Sequence, residues 1–471
     1  MNDHISTTTR RALLQKLSAL ALVPATAPLG VSLLGMANAA AETATDYKAL
    51  VCIFLNGGND HYNTVVAYDQ DTYNSYFKYR SISGKVNPLD SRYSDLAILR
   101  DALKPTLLAS TVGLPSGRQM ALGPTMGGIK KIFDAGRAAI LLNVGTLIEP
   151  TNRDTYNRRT VRLPGAVFSH TQSQTWQASG NRGWGGRMAD LVLLQNTTSK
   201  LTSISVGSTH RFLSGNARAY QIGLNGPPEI AALAESTLFS SASAAKALKA
   251  LVRSSSGHLM ETEYAGVMGS AIDFRDQILA RIGVAEPEKF KAWFPKSTAT
   301  NLSTQLKMVA RMIEQGPALG LKRQVFMVNA GGFDTHSRQV QIQPDLIERL
   351  SDAMLGFDTA LMAMGLADKV TAFTGSDFGR ALTFNGDGTD HGWGSHHFIM
   401  GGAVKGNRFL GVAPEVGRFH TQDATGGRLV PTTSIEQLSA ELARWFGVAD
   451  SDQSVILPNS KNFDLYKLGI F

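Results

Sequence analysis

A single cysteine, Cys52, occurs in 471 residues. No disulfide within the chain is possible. Cys52 lies inside the apolar run Ala49–Leu55, where a small buried core residue is expected. No run of lysine and arginine interleaved with aromatics occurs, which argues against nucleic acid as a partner. The formal net charge of +8 is mildly basic. It suits a small anionic substrate and equally suits plain solubility. A glycine-rich phosphate loop is also missing. Asn56-Gly57-Gly58-Asn59 has neither the G-x-G-x-x-G spacing nor a Lys-Ser/Thr pair, so nucleotide binding is unsupported. There is no internal repeat, and the low-complexity patch Ser240–Ala247 is too short to carry meaning.

A long uninterrupted apolar span is absent too. The stretch Ala19–Met36 is weakly apolar and contains Pro24 and Pro28, which argue against a permanent membrane span. It follows Thr9-Arg10-Arg11-Ala12-Leu13-Leu14 and ends at Ala37-Asn38-Ala39, a small-x-small cleavage pattern. Residues 1–39 therefore read as a twin-arginine export signal, with a general secretory signal as the alternative. Leu13 stands where phenylalanine is commoner, and Gln15 where lysine is. The expected partner during export is the twin-arginine translocation machinery, which carries folded proteins. The mature protein, periplasmic or secreted, would be one domain over residues 40–471, ample for a large core.

Strands are expected at Ala49–Leu55, Ala138–Val144, Leu201–Val206, Gln324–Asn329, Lys369–Phe373 and His397–Met400. Helices are expected at Met126–Ala135, Gln172–Ala178, Gly186–Gln195, Asn301–Gly316, Pro344–Met364 and Ser434–Phe446. The alternation predicts an α/β domain with a mainly parallel sheet. Residues 228–295, rich in Ala, Ser, Leu and Glu, predict a helical insertion or cap. The tyrosine-rich segment Tyr68–Ser91 is polar and carries no clear element.

Histidine placement is the strongest signal. Four of the ten lie in two glycine-rich segments, Gly331-Gly332-Phe333-Asp334-Thr335-His336 and Asp390-His391-Gly392-Trp393-Gly394-Ser395-His396-His397. Carboxylate oxygen and neutral imidazole nitrogen suit a divalent metal, and glycine turns let such side chains converge. Asp334 and His336 stand two apart on an extended loop and point the same way. The bland alternative is a helix-capping Asp and a surface His. His391 and His396 are metal candidates, or satisfy backbone groups in a turn. Trp393 is a substrate wall or core. Asp377 is paired with Arg380 three residues on, which would clamp an anionic substrate or close a helix-terminal salt bridge. Asp60 follows the first strand as a further ligand candidate. Asn59 and Asn63 orient substrate or form Asx turns. Ser169, with His170 beside it, precedes a helical stretch, as a nucleophile or an N-cap. Three of these loops follow parallel strands, and sites form at the carboxyl ends of such strands.

Taken in order, Phe54–Asp60, Ser169-His170 followed by Trp176, Gly331–His336, Ser376–Arg380 and Thr389–Gly392 resemble the family called domain of unknown function 1501, within the alkaline phosphatase and sulfatase-like superfamily. The resemblance spans nearly all of the mature chain. It implies a three-layer sandwich, a mainly parallel sheet flanked by helices, and a hydrolytic core with one or two divalent metal ions (zinc, manganese, iron or calcium). Asp60 would serve one metal and Asp334 with His336 the second. Asp377 and His391 would fill the later motifs, and Ser169 would be the nucleophile. His170 and Trp393 would touch substrate. Phe378 stands where the superfamily has a histidine, so one metal lacks a ligand or takes His396. The sulfatase formylglycine requires a cysteine at the nucleophile, and the only one is Cys52. The expected activity is metal-dependent hydrolysis of a phosphoester or related ester. The alternative is a non-catalytic exported protein binding a polysaccharide, lipid or protein partner.

Overall fold

Strand β1 (Lys48–Leu55) is buried on both faces, as a strand covered by helices on either side must be. It belongs to a computed structural model describing residues 46–171, 176–208, 210–229, 231–234, 236–283, 285–294 and 300–471. The expected export signal, 1–39, lies outside the described residues, as do 172–175 of the expected helix Gln172–Ala178. The other strands of the main sheet are β2 (Ala138–Gly145), β3 (Ser203–Val206), β4 (Tyr220–Ile222), β5 (Arg323–Ala330), β6 (Val370–Ser376), β7 (Ser395–Met400), β8 (Arg408–Leu410) and β9 (Thr433–Ser434). Their order is β4-β3-β5-β1-β6-β7-β2-β8, with β9 beside β2. β7 runs antiparallel to both its neighbours, and the remaining pairs are parallel.

Alternation along β1 feeds two cores. Ala49, Val51, Ile53 and Leu55 face α2 (Gly127–Asp134), α6 (Asn301–Gln315) and α7 (Gln339–Ala363). Leu50, Cys52 and Phe54 face α3 (Trp184–Val192) and α8 (Ile435–Phe446). The result is helix, sheet, helix: a mixed α/β architecture in three layers. Cys52 is a core residue, and burial pushes its thiol pKa up, which leaves it unreactive.

Three elements differ from expectation. α7 begins at Gln339 and includes Pro344, rather than beginning there. The earlier turn is held because Gln339 and Gln343 turn inward and donate to Asp60. The polar segment after residue 68 contains α1 (Gln70–Arg80), N-capped by Asp69. β7 starts two residues earlier than expected. Between β4 and α6 lie α4 (Ala242–Leu251) and α5 (Leu259–Ile282), helical as expected. Ile278, Ile282, Phe290 and Phe294 bury this segment in the core shared with α6 and α7. Among the described residues, no helix is long and apolar enough to cross a membrane. The described residues, from 46 to 471, belong to one compact unit.

Candidate metal centre

β1, β5 and β6 end on the same edge of the sheet, and antiparallel β7 begins there. The loops after these strands meet because glycine lets them. Gly57 has φ +110°, and a Cβ there would fall 2.5 Å from the Asp334 nitrogen. At Gly58, φ is +88°, and a Cβ would run into the Phe378 ring.

Four side chains surround the Asp334 carboxylate. His336 Nε2 and His391 Nε2 each lie 3.2 Å from Oδ1, and His170 Nε2 lies 3.4 Å from Oδ2. Arg380 Nη2 donates to Oδ1. The ligand atoms of His170, Asp334 and His391 all fall within 4.8 Å of one another, a spacing that a single cation could bridge. His336 Nε2 is 2.8 Å from His391 Nε2.

The rings are oriented from behind. His391 Nδ1 is 2.9 Å from the Phe168 carbonyl. A carbonyl only accepts, so the proton sits on Nδ1 and a neutral ring turns a bare Nε2 toward Asp334. His170 Nδ1 lies 2.9 Å from Asp377 Oδ2, which also accepts from the Gly57 N–H. His170 is thus held through Nδ1, with its Nε2 facing Asp334. Carboxylate or carbonyl behind histidine is the usual outer shell of a metal site. Phe378 stacks on His391 with ring centroids 4.1 Å apart and packs on His170 at 5.2 Å.

Electrostatics agree with a cation-ready cluster. Burial alone would raise the Asp334 carboxyl, but the Arg380 hydrogen bond and charge, with His336 and His391, hold it below the usual carboxylate range. Burial lifts the Asp377 carboxyl, against the pull of His170 and the Gly57 N–H. Burial also lowers His391, keeping it neutral and able to act as a ligand.

Other expected site residues are placed elsewhere. Asp60 is 1% exposed, and its carboxylate is gripped by Arg80, with Nη2 2.7 Å from Oδ1 and Nη1 on Oδ2. Tyr62 and Gln339 also donate to it, so its oxygens are spent inside the fold rather than offered to a cation. Arg380 is fully buried and donates to the carbonyls of Gly57, Gly58, Phe333 and Thr389 as well as to Asp334. It ties three site loops together and has no face left to clamp substrate. Asn63 is buried between Tyr76, Arg80 and the Leu96 carbonyl, and Asn59 accepts from Thr64, so neither meets solvent. Trp393 is 1% exposed and donates to the Thr146 carbonyl; it backs Phe168 and Tyr156 as core. Ser169 sits in a turn beside the cluster, its hydroxyl donating to the Ala166 carbonyl at 2.7 Å.

His396 is inside the fold, accepting from the Asn143 N–H at 3.0 Å, with its ring 4.9 Å from that of His61. His61, His396 and His397 are all buried, and burial drives their pKa values down, that of His397 to about 3. Once unfolded, each would titrate near 6.5. The unfolded chain then binds more protons below that pH, so stability present above about pH 6.5 is lost as pH falls toward 3. His397 contributes up to ~1.4 kcal/mol per pH unit over that window, and His61 and His396 act in the same direction. Urea unfolding at pH 7 and pH 5 should show a steep loss, softened by replacing His397 with Asn. A flat profile would contradict this reading.

A family model described as protein of unknown function (DUF1501) matches residues 47–458. The chain belongs to that family. No functionally curated protein matches the DUF1501 chain by sequence. Three solved structures overlay loosely. They are Ps i-CgsB with k-i-k-neocarrahexaose (10% identity, 87% of this chain and 74% of that one, TM-score 0.32), the lipoteichoic acid synthase LtaP from Listeria monocytogenes (7%, 87% and 74%, 0.32), and the zinc complex of the C-terminal periplasmic domain of EcEptC from Escherichia coli (10%, 90% and 89%, 0.31). At that agreement the likeness is distant and says nothing finer.

Sequence reading missed Arg80 and underrated His170. Arg80 belongs to no motif; its one clue is an arginine closing a helix whose other charges are solvent-bound. His170 stands beside the more conspicuous Ser169.

Proposed function

We propose that this DUF1501 protein is an exported, metal-dependent hydrolase of phosphoester or sulfuric ester substrates. One observation carries the reading: two histidines held through Nδ1 turn their Nε2 atoms toward one exposed carboxylate. His170, His336, His391 and Asp334 would hold a single divalent cation. Three imidazoles and a carboxylate suit zinc, manganese or iron better than calcium, which prefers oxygen. Such an ion supplies Lewis acidity toward an ester oxygen. Asp377 and the Phe168 carbonyl hold the histidine protons on Nδ1. The reaction adds water across the ester. The P–O or S–O bond breaks, the acid is released as its anion, and the alcohol departs with a proton. Ser169 is the assigned nucleophile: its hydroxyl leaves the Ala166 carbonyl, its oxygen bonds to phosphorus or sulfur as the alcohol departs with the serine proton, and water then cleaves the seryl ester to restore Ser169 and release the acid. The export assignment rests on the Arg10-Arg11 leader.

The second reading, a non-catalytic binding protein built on this fold, is favoured by a specific feature. Asp60 is locked by Arg80, which removes the carboxylate assigned to a second metal.

The deciding measurement pairs metal content with turnover of p-nitrophenyl phosphate and p-nitrophenyl sulfate by the mature protein. Bound metal with turnover lost in Ser169→Ala, at unchanged metal content, supports the hydrolase. Turnover undiminished in Ser169→Ala overturns the nucleophile. Bound metal without turnover of either ester favours the binding protein.

A further inference from the structure

Away from the metal centre, a cavity of about 170 Å³ opens between α3, α8 and the segment that leads to His170. A cavity of about 150 Å³ is enough for a molecule the size of benzene. Its walls are largely apolar, with Leu147, Trp184, Ile435 and Leu457 among them. Four polar side chains break that lining: Thr146, Arg187, Glu436 and Asn459. The Thr146 hydroxyl is buried without a hydrogen-bond partner. Glu436 is 8% exposed, and its carboxylate receives a side-chain hydrogen bond from Asn459 on Oε1 at 3.0 Å. Among the described residues no cation forms a salt bridge with it. Arg187, on another wall, is turned to the Ile456 carbonyl at 3.0 Å.

Glu436 lies in the first turn of α8, where the helix dipole favours a negative charge. That accounts for an acid on this turn, but not for its burial beside an apolar hollow. Ser434 and Gln437 already close the capping box, so the helix start does not need Glu436. Burial lifts the carboxyl above the usual range, as expected for an acid kept from water without a counter-charge. A cation entering the cavity would supply one, and the unpartnered Thr146 hydroxyl would gain an acceptor role.

We infer that this cavity is a binding site for a small organic ammonium ion, held by Glu436 and Thr146 with its apolar body against Leu147, Trp184, Ile435 and Leu457. The ligand is a primary amine of a few carbons, a size that a hollow of this volume accommodates. Pro164 and Gly165 line the same cavity a few residues before His170, so the occupant would brace the segment that carries a metal-centre histidine. The site is independent of the chemistry assigned to the metal centre.

The test is titration of the full mature protein at pH 8 with n-butylammonium, 1-butanol and butyrate, followed by calorimetry or ligand-detected NMR. The expected order is butylammonium with a Kd on the order of 1 mM and butanol about tenfold weaker or worse, since a hydrogen bond to a charged group adds at least that factor. Glu436→Gln keeps the bond from Asn459 and should weaken butylammonium about tenfold while leaving butanol unchanged. Equal affinity for butanol, stronger binding of butyrate, or no binding of butylammonium to the wild-type protein would each overturn the proposal. The wild-type series decides the matter even if the variant fails to fold.

Discussion

Asp334→Ala is expected to abolish stoichiometric metal binding, the largest functional effect of any single change in the chain. Every proposed ligand meets at this carboxylate: His336 and His391 on Oδ1, His170 on Oδ2. Removing it takes away the one carboxylate that meets the three imidazoles, and with it the charge that offsets a divalent ion. The fold should survive. Arg380 loses one partner but keeps four backbone carbonyls, and Asp334 itself is over one-third exposed. A graded series makes the argument sharper. Asp377 sits behind His170 rather than beside the ion, so Asp377→Asn should weaken metal affinity only about 10–100-fold, the usual consequence of losing an outer-shell partner. Chelator competition gives both affinities, and metal content after dialysis gives the stoichiometry. Wild-type stoichiometry in a folded Asp334→Ala protein would remove the metal centre from consideration.

Much of this arrangement is legible in the amino-acid sequence, and for a local reason. A run of apolar residues ending in glycine and then aspartate describes a buried strand and the loop beyond it, so β1, β5 and β6 and the Asp334 and Asp377 loops can be placed from neighbours in the chain. His391 follows from the same logic. What escapes is decided across the sheet. β7 enters antiparallel, and His396 and His397 therefore lie within it as buried strand residues, while His391 stays outside. Nothing in Ser395-His396-His397 says which way the strand runs. Trp393 between two glycines reads in sequence as a substrate wall or as core, and the structure makes it core. It is buried where Gly392 lies against the backbone of Gly379 and Arg380, and Gly394 against the Asn143 side chain and the Leu429 carbonyl. Asp60 looks like a ligand because it follows a strand. Its true partner, Arg80, arrives from a helix twenty residues on, in a segment without a motif.

That pair yields the largest expected loss of stability. Arg80 and Asp60 both have fully buried side chains, and Arg80 also donates to Asn63 and to the carbonyls of Ala381 and Leu382. Arg80→Met would leave the Asp60 carboxylate buried with only Tyr62 and Gln339 to stabilise it, a loss of about 3–5 kcal/mol for a broken buried pair. The double variant Asp60→Asn/Arg80→Met removes both charges together and should be more stable than Arg80→Met alone, because a missing pair costs less than a stranded ion. Urea midpoints of the wild type, the two single variants and the double variant complete the cycle. If the double variant is as unstable as the sum of the singles, the two residues act separately and the ion pair is not what anchors α1 to the first loop. If coupling is found, Asp60 is a structural acid that holds the Gly57–Gly58 loop against Asp334. The metal centre then depends on Asp60 for its shape and not for a ligand.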